Sequence, residues 1–171
     1  EVCRPPDWLV PDISLEFELD AERTVVRSVL RVEPDTGAEG KPLRLNGDGI
    51  EPAALVVDGA RAGWRMEDGV LVIDLSQGPH SIEIVTELAP RANTKLMGLY
   101  GSGGHLCPPG EGGGFRRITF FPDRPDVLSR YRVKMIADKA AYPVLLSNGD
   151  PVASGDLPDG RHWAEWHDPF P

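Results

Sequence analysis

The chain has 171 residues, with 18 Lys and Arg against 27 Asp and Glu, and a formal charge of −9. A chain of this length needs only one core, and so acidic a balance excludes the clustered positive charge that nucleic-acid binding requires. No apolar run reaches the ~18 residues of a membrane span and no charged-then-apolar leader opens the sequence, so neither nucleic acid nor membrane is an expected partner.

Gly and Pro together fill about a fifth of the positions, against an ordinary usage of ~12%, which leaves little room for long helices. Residues 13–19 alternate apolar Ile13, Leu15, Phe17 and Leu19 with polar Ser14, Glu16 and Glu18, the period-two pattern of a half-buried strand. Residues 24–32 answer it across the turn Asp20-Ala21-Glu22-Arg23, which predicts a hairpin. Strands follow over 43–45, 54–57, 70–75 and 80–87, punctuated by Asn46-Gly47, Asp58-Gly59 and Asp68-Gly69. Such dipeptides suit tight turns because they tolerate positive φ.

From Leu88 to Gly114 the alternation stops. A long irregular segment inside a compact domain is usually functional or disordered, and this one carries Asn93, Tyr100, the Cys107-Pro108-Pro109 corner and Glu111 among many glycines. It reads as one ordered loop system at the edge of the sheets. Periodicity resumes at 117–121, 131–136 and 144–146, with a single helical turn expected over 126–130 behind Pro125. The predicted fold is all-β: an antiparallel multi-stranded sandwich or barrel-like domain with a long irregular glycine-rich loop, residues 1–171 forming a single domain.

Few groups offer chemistry. Cys3 and Cys107 are too few for a disulfide framework and form no Cys-x-x-Cys pair, so free thiols are expected, as in a reducing compartment. His80, His105, His162 and His167 are scattered, and no His-Glu-x-x-His, phosphate-binding loop or Gly-x-Ser-x-Gly elbow is present. Glu111 stands out, being a single carboxylate among glycines that let backbone approach a ligand closely. On the residues alone it is either a solvated loop carboxylate or an acceptor for a bound cation. Arg116 and Arg124 lie near Asp123 and Asp126 and could brace this loop by bidentate pairing.

Five stretches appear in order: PLRLNG at 42–47, ANTKLMGLY at 92–100, GFR and PDRPDV at 114–116 and 122–127, LLSNG at 145–149, and WAEWHDPFP at 163–171. Together they make the chain resemble, over nearly its whole length, the amino-terminal domain of bacterial aminopeptidase N, a zinc gluzincin exopeptidase. The resemblance implies a β-rich saddle that precedes a catalytic domain, zinc held in the intact enzyme by that domain and not by these residues, and a cytoplasmic location. It also implies that Glu111, four residues before Phe115, binds the α-amino group at a peptide's N-terminus, so that residues are released one at a time. Bacterial relatives often carry Gln two residues before that glutamate, in the wall of the first specificity pocket; here the position is Pro109. The competing reading is a free-standing β-sandwich binding module, for example for carbohydrate, with Trp8, Trp64, Trp163 and Trp166 as platforms.

Overall fold

The computed structural model describes residues 5–94, 97–107 and 113–171. The chain opens with β1 (Trp8–Glu18) and β2 (Thr24–Pro34), the predicted hairpin. Its turn is closed locally: Asp20 Oδ1 accepts from the Glu22 and Arg23 amides, and Thr24 Oγ1 donates to the Asp20 carbonyl. These bonds hold the Asp20 carboxyl below its usual range, the Arg23 amide acting most strongly. β1 starts five residues ahead of the predicted alternation. A register shift between Leu9 and Asp12 absorbs Pro11, which has no amide to give to a ladder.

β3 (Leu43–Asn46), β4 (Ala54–Val57), β5 (Ala60–Arg61), β6 (Arg65–Glu67), β7 (Val70–Ile73) and β8 (His80–Leu88) follow. Asp58 and Gly59 join β4 to β5, Asp68 and Gly69 join β6 to β7, and all four have positive φ. Two-residue turns of this kind match the twist of a hairpin. The small strands β9 (Tyr100–Ser102) and β10 (His105–Cys107) pair inside the segment expected to be irregular. β11 (Arg130–Asp138), β12 (Asp150–Asp156) and β13 (Arg161–Asp168) complete the chain.

Eight strands form one sheet in the order β12-β13-β11-β1-β2-β8-β4-β5, and β3-β7-β6 form a second. Leu43, Leu45, Leu71 and Ile73 of the small sheet share one buried cluster with Ile13, Leu15, Val26, Leu30, Ile82 and Ile84 of the large one. The all-β sandwich is therefore as expected, but the large sheet is mixed, because β1 pairs with β11 in parallel from Asp12↔Arg130 to Glu18↔Ile136. A second cluster of Met135, Ala137 and Leu145, backed by Phe17 and Trp166, extends the core beneath β11 and β13. The opposite face is polar and carries ion pairs across neighbouring strands, including Arg130–Asp12, Arg27–Glu18, Lys134–Glu16 and Arg132–Glu165. Arg130 holds the Asp12 carboxyl below its ordinary range.

Three expected elements are absent, and β5, β6, β9, β10, β12 and β13 were not foreseen. Residues 117–121 are not a strand: a 3₁₀ turn at Phe115–Arg117 leads into 118–121, all four of which are buried. Half-burial is what period-two alternation signifies, and here both sides are covered. Residues 144–146 form no strand, and Val144 and Leu146 are 67% and 72% exposed around buried Leu145. In place of a helical turn over 126–130 there is a tight turn at 125–126, closed by the Val127 amide on the Arg124 carbonyl. Arg130 is drawn instead into the parallel ladder opposite Asp12. β12 was missed because Asp, Pro and Gly disfavour strands in isolation; it forms as the partner of β13.

Candidate functional site

Pro109 and Glu111 lie in 108–112, outside the described residues. What the structure shows is the ground on either side. On one side, β10 ends at Cys107, paired with Tyr100 of β9. On the other, Gly113 at φ +87° and the buried Gly114 lead into the Phe115–Arg117 turn. Phe115 fixes that turn against the core, meeting Phe121 edge-on at 5.2 Å and Tyr131 at 6.0 Å.

Three of the sequence stretches singled out above converge on this turn. Asn46, Gly47 and Asp48 run alongside it. Asn46 exchanges backbone hydrogen bonds with Phe121 and accepts from the Asp123 amide through Oδ1, while the Asp48 amide donates to the Arg116 carbonyl at 2.8 Å. Gly47 is not the turn residue that its dipeptide suggested. It lacks a positive φ, and its backbone lies directly against the Phe120 ring, where any side chain would collide. Gly98, at φ +75°, abuts Arg117 Cβ on the other flank, and Asn93 Nδ2 donates to the Met97 and Leu99 carbonyls behind it. Buried backbone groups here find partners, as they must: Thr86 Oγ1 donates to the Ile118 carbonyl at 2.9 Å.

Charge reinforces the clamp. Arg116 donates from Nε to Asp123 Oδ2 at 2.7 Å and from a terminal nitrogen to the Asp123 carbonyl at 3.2 Å. Arg117 pairs with Asp48, and its Nε is buried without a hydrogen-bond partner. Arg124 forks onto both oxygens of Asp126 two residues on, and this holds the Asp126 carboxyl below its usual range. Tyr131, buried against Phe115 with Asp123 and Asp168 nearby, has its phenol pushed up to about 12, burial being the main cause. The expected pairs of Arg116 with Asp123 and of Arg124 with Asp126 are present, the second closing only its own turn, whereas the Arg117–Asp48 pair was not legible, because its members stand far apart in sequence.

Ser76, His80 and Asp58 resemble a nucleophilic triad. His80 Nδ1 is 2.6 Å from Asp58 Oδ2, and Nε2 is 3.3 Å from Ser76 Oγ. Nε2 is also 2.9 Å from the Ser76 carbonyl, which can only accept. Both ring nitrogens therefore donate, and an imidazolium cannot take a proton from serine. The His80 pKa is raised, chiefly by the bond to Asp58, and the group braces two turns. Among the described residues no three His, Cys, Asp or Glu side chains gather into a metal-binding set. With no His-Glu-x-x-His in the sequence, this donor set does not fit a zinc site. The tryptophans offered as platforms lie in different settings: Trp64, between β5 and β6, is 42% exposed. Trp8 is buried, and Trp163 and Trp166, three apart on β13, point to opposite faces, Trp166 toward the core and Trp163 under Lys134. A groove of about 460 Å³ lies along β12 and β13, and another of about 240 Å³ lies by the β9–β10 hairpin. Neither is lined by the 113–117 turn. Among the described residues no helix is long and apolar enough to cross a membrane.

Residues 62–171 match the family described as the peptidase M1 N-terminal domain. The chain belongs to that family. This M1 N-terminal domain is 48% identical over 169 residues to aminopeptidase N of Escherichia coli strain K12, which covers 98% of the chain and 19% of the relative. It is 46% identical to aminopeptidase N of Haemophilus influenzae, over 98% of the chain and 20% of the relative. The chain therefore spans about a fifth of the length of these curated relatives. Among solved structures, Legionella pneumophila aminopeptidase A in complex with aspartic acid superposes with a TM-score of 0.90 at 30% identity, covering 98% of this chain and 20% of that one. The M1 zinc metallopeptidase of Deinococcus radiodurans shares the fold, with a TM-score of 0.78 at 14% identity over 94% of this chain and 39% of that one.

Proposed function

We propose that this chain is the amino-terminal β domain of a zinc-dependent aminopeptidase that releases N-terminal residues from peptides. In this reading Glu111 supplies the carboxylate that receives the substrate's α-ammonium group, and Pro109 forms part of the adjoining cavity wall. The observation that carries the reading is the 48% identity to an aminopeptidase N across 98% of the chain. The sequence is compatible with it, since Glu111 is followed by three glycines, and glycine lets backbone approach a ligand closely.

In this proposal the zinc and the groups around it belong to a catalytic domain of the intact enzyme; among the described residues here no donor set gathers that would hold it. That domain is the expected partner, together with the peptide's N-terminus. The chain's own contribution is binding and orientation. An ammonium donating to a carboxylate adds about 1.5–3 kcal/mol net. A peptide lacking a free amino terminus forgoes that bond, so a single fixed carboxylate selects the first peptide bond for cleavage. A cytoplasmic location belongs to the same reading and rests on the resemblance to bacterial aminopeptidase N.

The test is Glu111→Gln in the full-length protein that this reading requires, assayed for release from an alanyl substrate at matched zinc content. Removing one partner of a buried charge pair costs about 2–5 kcal/mol, which corresponds to a fall in kcat/KM of roughly 30-fold or more. Unchanged kcat/KM would reduce Glu111 to a loop residue and the domain to a scaffold.

A further inference from the structure

We propose that Asn148 is a site of spontaneous covalent modification: its side-chain amide is lost through attack by the Gly149 backbone nitrogen, and the isoaspartate that results loosens strand β12. The chain has two Asn-Gly pairs, Asn46-Gly47 and Asn148-Gly149. In both, glycine leaves the following amide unshielded by a side chain, so sequence alone makes them equal candidates. The structure separates them. Asn46 is half-buried, exchanges backbone hydrogen bonds with Phe121, and accepts from the Asp123 amide through Oδ1 at 3.2 Å. The nitrogen that would attack there, that of Gly47, already donates to the Gly69 carbonyl at 2.8 Å, and its backbone lies against the Phe120 ring. Asn148 and Gly149, by contrast, are both exposed in a bend ahead of β12. Among the described residues neither the Asn148 side chain nor the Gly149 amide makes a hydrogen bond.

The reaction needs only water. The Gly149 nitrogen gives up its proton to hydroxide and attacks Cγ of Asn148. A bond from that nitrogen to Cγ forms, the bond from Cγ to Nδ2 breaks, and ammonia leaves with a proton returned by water, giving a cyclic succinimide. Water then opens either imide carbonyl. One opening yields aspartate; the other yields isoaspartate, in which the backbone runs through the side-chain carbonyl and is longer by a methylene. That extra length falls where there is no slack. Gly149 has a φ of +84° and is packed so closely that a Cβ on it would strike the His167 carbonyl. The next residue, Asp150, opens the β12 ladder opposite His167. β12 is an edge strand, paired with β13 alone and largely exposed, so few buried contacts hold its register once its entry is lengthened.

The experiment incubates the full-length protein under native conditions at mildly alkaline pH and follows tryptic peptides 45–61 and 140–161, each of which holds one Asn-Gly pair, by mass spectrometry. Peptide 140–161 is expected to gain the mass of NH2 replaced by OH, at a rate that rises with hydroxide concentration, and to become a substrate for an isoaspartate methyltransferase. Peptide 45–61 should react at least about 10-fold more slowly, because attack at Asn46 must wait for the core around Gly47 to open. In urea, where both pairs are equally free, the two rates should converge. Asn148→Gln keeps the amide but would need a larger ring, and should abolish the change in 140–161. Hydrogen exchange of the β12 amides should quicken about 10-fold in the isoaspartate fraction, but not in Asn148→Asp, which adds the charge without the length. Equal native rates in the two peptides, no reaction at position 148, or unchanged β12 exchange in the isoaspartate fraction would overturn the inference.

Discussion

Gly47→Ala should be among the most damaging single-methyl additions in this chain. A Cβ at residue 47 would lie 2.7 Å from Phe120 Cδ1 and closer still to Cε1, whereas ordinary contact begins at 3.4 Å. Neither partner has room to retreat. Phe120 is fully buried, the Gly47 amide donates to the Gly69 carbonyl at 2.8 Å, and Asn46 is bonded in both directions to Phe121 next to the ring. Overpacking of a rigid core costs about 1–3 kcal/mol, and the double tether puts this site toward the upper end, at about 2–3 kcal/mol. For a domain of this size that corresponds to a fall in Tm of roughly 4–12 °C. Equilibrium urea denaturation followed by tryptophan fluorescence reads the difference directly. Phe120→Leu provides the check: alone it should destabilise by leaving a cavity, but combined with Gly47→Ala the loss should fall short of the sum by about 1 kcal/mol. A Gly47→Ala protein within 0.5 kcal/mol of wild type, or strict additivity with Phe120→Leu, would refute the close-contact argument.

Two further outcomes follow from buried and half-buried polar groups. Thr119 Oγ1 donates to Ser28 Oγ, which donates to the Ile84 carbonyl, and both hydroxyls are buried. Ser28→Ala strands the Thr119 donor and should cost about 1–3 kcal/mol, whereas Thr119→Val leaves Ser28 bonded and should cost less; denaturation of the two variants gives the order. His80 has a raised pKa and Asp58 a lowered one. Their stabilisation is therefore complete between the unfolded values, 3.8 for Asp58 and 6.5 for His80. It fades as pH rises through the folded pKa of His80 and as pH falls through that of Asp58. NMR titration should show the His80 ring ionising above its unfolded value, and Asp58→Asn should bring it back down.

The hairpins and the sandwich class were readable in the sequence because their determinants are local. Alternation in 13–19 and 24–32, closed by Asp20, specifies a pair of strands whatever surrounds them, and Asp58-Gly59 and Asp68-Gly69 carry positive φ within the turns themselves. Membership of the family was equally legible, since ordered motifs survive in the chain as strings. Glu111 and Pro109 came from that resemblance and not from any pattern of burial or spacing.

Tertiary structure decided the rest. No local pattern could tell that β11 returns parallel to β1, because a parallel partner is chosen by long-range packing and by pairs such as Arg130 with Asp12, 118 residues apart. Residues 118–121 alternate like a strand yet cross the core, since apolar side chains on both sides satisfy either reading until the neighbours are present. Asn46-Gly47 looked like a turn. Only with Phe120 in place does the glycine prove to be a matter of space and not of φ, and only then do residues 46–48, Asn93, Gly98 and 115–123 meet around the Phe115–Arg117 turn. Contacts between segments this far apart leave no period in a sequence, because they are set by where the sheets bring the backbone.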